Sequence, residues 1–493
     1  MTVVISIDAG TTGIRAFAVD EQGRPRGRSY RELTQFFPRP GWVEHDAREI
    51  WSSAQAVIGE LVATLDGEPI AALGITNQRE TVVAWDRRDG APLAPAIVWQ
   101  DRRTTERCNE LIADGFLPTV RARTGLVLDP YFSATKIEWL LRHGAMTPEA
   151  DLAFGTVDAW LLWNLTGSTT AAGAIHATDA SNASRTMLYD LHLGTWDHEL
   201  CACFGVGIAQ LPRIASSIGA IGYTSRGLPV PAGLPIAGVL GDQQAALFGQ
   251  ACLDEGMAKN TYGTGSFVLT NVGERCPPPA DGLLTTVAWQ RDGVRTYAYE
   301  GAVFVTGAAV QWLRDGLGII ASAGDIGPLA ESCESTEGVY FVPALTGLGS
   351  PWWDSHARGV IVGLTRGTSR AHLARAAVEA MAFQTRDVID AMERASGVRL
   401  SELRVDGGAT VMDLLLQEQA DQLGVPVVRA AVSESTALGA AFAAGIGAGV
   451  WTIDEVRSCW SADRRFLPRT ERRDTADAAH TQWLRAVRAA RLL

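Results

Sequence analysis

Two copies of one local pattern constrain this chain more than any other feature: a strand, a glycine–threonine turn and a returning strand. In the first copy residues 3–8 are apolar, Gly10-Thr11-Thr12-Gly13 turns, and residues 15–20 return before Gly23. In the second, residues 257–261 lead into Tyr262-Gly263-Thr264-Gly265-Ser266 and the apolar Phe267-Val268-Leu269. Two such hairpins in 493 residues predict two similar halves, because a chain this long outgrows a single ordinary core. The boundary is expected near residue 250, giving 1–250 and 251–493, directly after the segment 241–249. No Pro/Ser linker marks it, and a hinge without a floppy linker suits halves that must close on a substrate.

The segments around the hairpins alternate in type. Ile50, Ala54, Val57, Ile58, Leu61, Val62 and Leu65 recur at helical spacing and predict a helix over 48–65, with a strand over 71–76 behind it. The second half predicts a helix over 372–395, a strand over 403–406, a helix over 414–423 and a strand over 425–428. This is α/β alternation. The apolar run 436–451 is rich in alanine and glycine and shorter than a membrane span, so it reads as a buried helix.

Charge and rare residues exclude several classes. A net charge of −12 disfavours nucleic acid and anionic membranes as partners. Lys136 and Lys259 are the only lysines, and neither follows a glycine-rich turn, which excludes GxxxxGK[ST] and the lysine-centred protein-kinase signature. Seven scattered cysteines lack paired CxxC spacing and read as reduced thiols. The N-terminus runs straight into a strand with no basic n-region, so a cytoplasmic protein is expected.

The hairpins carry the chemistry. Glycines and threonine hydroxyls in a tight turn let backbone N–H groups and side-chain O–H groups reach phosphate oxygens without a lysine. Asp8 beside the first turn suits Mg²⁺, a hard dication that prefers carboxylate oxygen, and Arg15 is placed to neutralise a transferred phosphoryl group. One such turn serves equally as an ordinary loop; the second, tipped by Thr264, points to one nucleotide held between two halves. Asp406-Gly407-Gly408 joins a strand to a helix and allows close approach of a ribose or base. Asp242 follows an apolar strand, between glycine and two glutamines, where a lone buried carboxylate would be costly without a role. Taken singly, Trp99 or Phe267 would serve a core equally well, and Arg79-Glu80 a surface ion pair.

Several longer stretches carry a resemblance. They include Pro40-Gly41-Trp42-Val43-Glu44-His45-Asp46, Gly74-Ile75-Thr76-Asn77-Gln78-Arg79-Glu80-Thr81 and Ile97-Val98-Trp99-Gln100-Asp101-Arg102-Arg103-Thr104, with residues 129–133, 154–158, 178–186, 241–244 and 359–367. Along essentially its whole length the chain resembles the FGGY family of carbohydrate kinases. The resemblance implies two actin-like (ribonuclease H-like) ATPase domains with the active site in the cleft between them. It implies ATP and Mg²⁺, glycerol as the acceptor, and a homodimer or homotetramer.

By the same resemblance Arg79, Glu80, Trp99, Tyr131, Asp242, Gln243 and Phe267 bind the acceptor. Thr11, Thr12, Gly13, Arg15, Thr264, Gly307, Gln311, Gly408 and Met412 bind the nucleotide. Asp8 and Asp242 hold the metal, Asp242 is the base and Arg15 the second catalytic group. A kinase for another polyol or ketose, erythritol or xylulose, shares the pattern, and so does a non-catalytic nucleotide sensor. Two positions depart from the family: Gly13 stands where a serine is usual, and Met412 where an asparagine commonly meets adenine.

Overall fold

Both hairpins form, and each opens a unit with the same strand order. The computed structural model describes residues 2–144, 151–167 and 173–492. In the first half β1 (Val3–Ala9), β2 (Gly13–Asp20) and β3 (Pro25–Glu32) make an antiparallel meander, and β4 (Ile70–Asn77) lies parallel to β1. Strands β5 (Ile218–Tyr223) and β6 (Pro235–Gly241) follow, with β6 parallel to β4. In the second half β7 (Ala258–Tyr262), β8 (Ser266–Asn271), β9 (Leu284–Arg291) and β10 (Val294–Val303) are antiparallel neighbours. Then β11 (Leu403–Asp406) pairs parallel with β7, β12 (Val427–Ala430) parallel with β11, and β13 (Ala462–Phe466) closes the edge.

The cores therefore read β3-β2-β1-β4-β6 and β10-β8-β7-β11-β12, each a meander of three strands followed by two parallel ones. That repeated order bears out the two similar halves expected from the hairpins and fits the actin-like (ribonuclease H-like) domains that the resemblance implies. The units share one large sheet, joined between β5 and β9 through the single pair Ile218↔Arg291.

Helices cover the sheet where the apolar spacing places them. The helix Ala47–Ala63 starts one residue early because the Asp46 side chain accepts from the Arg48 N–H and caps it. The strand expected at 425–428 is displaced to Val427–Ala430: Pro426 has no N–H to give the ladder, so pairing begins after it. The alanine- and glycine-rich run forms the helix Ser435–Gly447, which is buried. It packs on the helix Asp242–Gly249 so closely that a Cβ on Gly249 would lie 2.0 Å from the Ser435 carbonyl oxygen. One on Gly439 would lie 1.8 Å from that of Ala245. Only glycine permits this approach, and it fixes the N-terminus of the helix that carries Asp242. Among the described residues no helix is long and apolar enough to cross a membrane.

Candidate active site

Arg79 is the hub of a buried polar cluster. It follows β4, is 2% exposed, and its Nε lies 3.0 Å from Asp242 Oδ1. Its Nη1 and Nη2 donate to the two carboxylate oxygens of Glu300 at 2.5 and 3.1 Å, and Nη2 also donates to the Tyr131 hydroxyl at 3.2 Å. Arg185, fully buried, donates to Glu80 at 2.8 Å and to Glu300 at 3.0 Å. Arg79 and Glu80 are thus no surface pair. Glu80 has a backbone φ of 60°, a left-handed conformation that costs a non-glycine residue energy and persists only where its surroundings impose it.

Glu300, on β10, and Arg185 were not singled out from the sequence for this site. Glu300 did leave a signal: it is a lone carboxylate within the apolar 297–303 segment, the same anomaly that drew attention to Asp242. Burial works against ionisation of Glu300, but Arg185 and Arg79 outweigh it and hold its carboxyl at about 2. Burial raises the Asp242 carboxyl, with Arg79 and the Gln243 N–H opposing that rise. Asp242 also begins a helix, whose positive end favours the carboxylate.

Asp8, at the end of β1, faces the same space. Its carboxyl is pushed up to about 7, first by burial and then, against the pull of Arg15, by the negative charges of Asp242 and Glu434. Asp242 thus disfavours ionisation of Asp8, and a pair of carboxylates of this kind suits a hard dication such as Mg²⁺, which keeps much of its water. Among the described residues no group of three or more His, Cys, Asp or Glu side chains forms a fuller cage. Arg15 Nη1 lies 3.7 Å from Asp8 Oδ2 and pairs with Glu434, which also accepts from Arg28 at 3.0 Å.

The aromatic wall stands beside this pair. Trp99 and Tyr131 meet edge to face with ring centroids 5.5 Å apart, and the Trp99 indole N–H donates to the Thr11 hydroxyl at 2.8 Å. That bond ties Trp99 to the first hairpin. Lys136, completely buried, fixes the Tyr131 loop by donating to the backbone carbonyls of Pro130, Tyr131 and Phe132 at 2.7–2.8 Å. The other lysine, Lys259, is buried too and donates to Gln243 and Thr261; burial lowers its pKa to about 8. Phe267 stands opposite Thr261 across β7 and β8, half-buried, on the face that Lys259 and Gln243 share.

The residues expected to bind the nucleotide lie on the two turns and on elements after the second. Gly10 N–H donates to the Gly13 carbonyl at 3.0 Å in the first, and Gly263 N–H to the Gly265 carbonyl at 2.8 Å in the second, with Thr12 and Thr264 exposed at the tips. The helix Gly307–Asp315 docks on the second turn: Gly307 N–H donates to the Gly263 carbonyl at 3.0 Å, and a Cβ there would meet that oxygen at 2.6 Å. Gln311 lies exposed one turn along this helix. Gly407 backs onto Tyr262, Gly408 has no atom in the path of an added Cβ, and Met412 begins the helix Asp413–Leu423 against Gly327. A short 3₁₀ turn, Gly408–Val411, separates β11 from that helix.

Two carboxylates, a cluster of buried polar side chains and an aromatic pair thus stand beside the glycine–threonine turns, and comparison with known proteins places the chain in a family. The models of the FGGY family of carbohydrate kinases match the chain in both parts, the N-terminal domain over residues 3–249 and the C-terminal domain over 258–448. A glycerol kinase of Deinococcus radiodurans is 52% identical, over 99% of this chain and 97% of the relative; one of Dechloromonas aromatica is 53% identical, over 98% and 96%. A crystal structure of Plasmodium falciparum glycerol kinase with ADP superposes with a TM-score of 0.93 at 35% identity, covering 99% of this chain and 98% of that one. The chain belongs to the FGGY family of carbohydrate kinases.

Proposed function

We propose that this kinase transfers the γ-phosphoryl group of ATP to a terminal hydroxyl of glycerol, giving sn-glycerol 3-phosphate and ADP. The observation that carries this reading is the hub at Arg79, which holds Asp242 at 3.0 Å while bound to Glu300 and Tyr131 beside the Trp99 wall. Such a pocket presents a few convergent polar groups and one apolar wall, the complement of a small triol. Arg79 and Glu80 hydrogen-bond adjacent hydroxyls, Gln243 adds an amide, and Trp99, Tyr131 and Phe267 pack on the carbon face.

Asp242 accepts the proton as the glycerol oxygen forms its bond to phosphorus, and the bond from the γ-phosphorus to the bridging oxygen breaks to release ADP. Transfer is direct and in line. Arg79 orients the Asp242 carboxylate and opposes the rise that burial imposes on its pKa. Arg15 swings from Glu434 to the transferred group, while Thr11, Thr12 and Thr264 and the turn N–H groups hold the phosphates. Asp8 and Asp242 would hold Mg²⁺, which would supply neutralisation of phosphate charge. Gly307, Gln311, Gly408 and Met412 receive the nucleoside. The halves meet near residue 250, and closure there excludes water. By family resemblance the enzyme is a cytoplasmic homodimer or homotetramer.

Met412 packs on the base without the amide of an asparagine. KM for ATP is therefore expected to exceed that of Met412→Asn by up to about tenfold, the worth of a hydrogen bond of about 0.5–1.5 kcal/mol. Equal KM values and equal nucleotide preference in the two proteins would rule this out.

The acceptor is tested by comparing kcat/KM for glycerol, dihydroxyacetone, erythritol and xylulose with Mg·ATP. Glycerol is expected to lead. A faster reaction with xylulose or erythritol would move the reading to another branch of the family, and binding of ATP with no turnover on any acceptor would make the chain a sensor.

A further inference from the structure

Cross-strand register sets three side chains side by side on one face of the first unit: Asp8 pairs with Arg15, and Arg15 with Tyr30. The first two belong to the site described above; Tyr30 is the next in that row. The Arg15 guanidinium lies 5.8 Å from the centroid of the Tyr30 ring. The phenol then reaches along the face toward the first turn and covers Gly13. A Cβ at position 13 would lie 2.4 Å from the Tyr30 hydroxyl and 2.5 Å from the Arg31 carbonyl oxygen, so this position takes no side chain. The hydroxyl donates to the Thr12 carbonyl over a long 3.3 Å, and Tyr30 remains 47% exposed. An apolar ring is thus held half in solvent, its hydroxyl at the mouth of a phosphate-type turn and engaged by one weak bond.

We infer that Tyr30 is a nucleotide-binding residue whose hydroxyl donates to a phosphate oxygen of ATP at the first turn, in the space that Gly13 leaves without a side chain. The inference rests on the reading that this turn holds the nucleotide's phosphates. On binding, the O–H rotates from the Thr12 carbonyl to the anion, a stronger acceptor. The ring contributes separately by keeping Arg15 on the same face.

Tyr30→Phe separates the two roles, since it keeps the ring over Gly13 and under Arg15 and removes the hydroxyl alone. In the full chain, calorimetric titration with a non-hydrolysable ATP analogue and with adenosine gives the affinities, and steady-state kinetics give the two KM values. The expected result is a loss of roughly 3- to 10-fold in affinity for the analogue, the range of one hydrogen bond. A matching rise in KM for ATP is expected, with adenosine affinity and KM for glycerol unchanged. Unchanged affinity for the analogue would overturn the assignment, as would equal losses for analogue and adenosine, which would mark a structural role. If the unsubstituted protein neither bound the analogue nor released ADP, the functional reading itself would fail. Normal behaviour there with a silent Tyr30→Phe would remove only Tyr30.

Discussion

Asp242→Asn is expected to lower kcat by about 10²–10⁴-fold, the usual contribution of a general base, while KM for glycerol changes by less than about threefold. The asparagine keeps the size of the side chain and its place at the helix N-terminus, so it tests the loss of the carboxylate, as base and as metal ligand, with little change in packing. Arg79 remains fixed by Glu300 and Tyr131. Because transfer to a hydroxyl passes through a loose transition state, positioning by Arg79, Arg15 and the two turns is expected to leave measurable residual turnover. A coupled assay of ADP release checks this, and a fall of less than tenfold would remove Asp242 from the role of base.

Glu300→Gln is expected to cost about 3–5 kcal/mol of stability, because it leaves buried positive charge without its counter-ion. The cluster balances three cations, Arg79, Arg185 and Lys259, against three carboxylates, Glu80, Asp242 and Glu300. Glu300 hydrogen-bonds both guanidinium groups, whereas Glu80 bonds Arg185 at 2.8 Å and lies 3.8 Å from Arg79, and Glu300 reaches them from the second half of the chain while both arginines come from the first. Its neutralisation therefore loosens the acceptor pocket and the junction of the halves together. Urea unfolding measures the loss, and a rise in KM for glycerol should accompany it as Arg79 loses its second anchor. A change below about 1 kcal/mol would show that the remaining carboxylates suffice.

The sequence made the two-unit architecture legible because each unit announces itself locally: a hairpin has a fixed turn chemistry, and amphipathic helices such as Ala47–Ala63 carry their period in a single window. Asp8, Asp242 and the turn residues were visible for the same reason. What stayed hidden depends on contacts between distant segments. Glu300 joins Arg79 across 221 residues and Glu434 joins Arg15 across 419, and no window of sequence contains either pair. Gly13 was readable only as a missing hydroxyl. The fold supplies its cause, since β3 pairs with β2 in a register that brings Tyr30 and the Arg31 carbonyl onto that position.

The reaction proposed for this kinase couples ATP cleavage to phosphorylation of glycerol. Its most direct test follows ADP and sn-glycerol 3-phosphate together in one reaction with Mg·ATP, with glycerol present and with glycerol omitted. One phosphoester per ADP is expected with glycerol and negligible ADP without it; ADP release that does not depend on glycerol would overturn the proposed coupling.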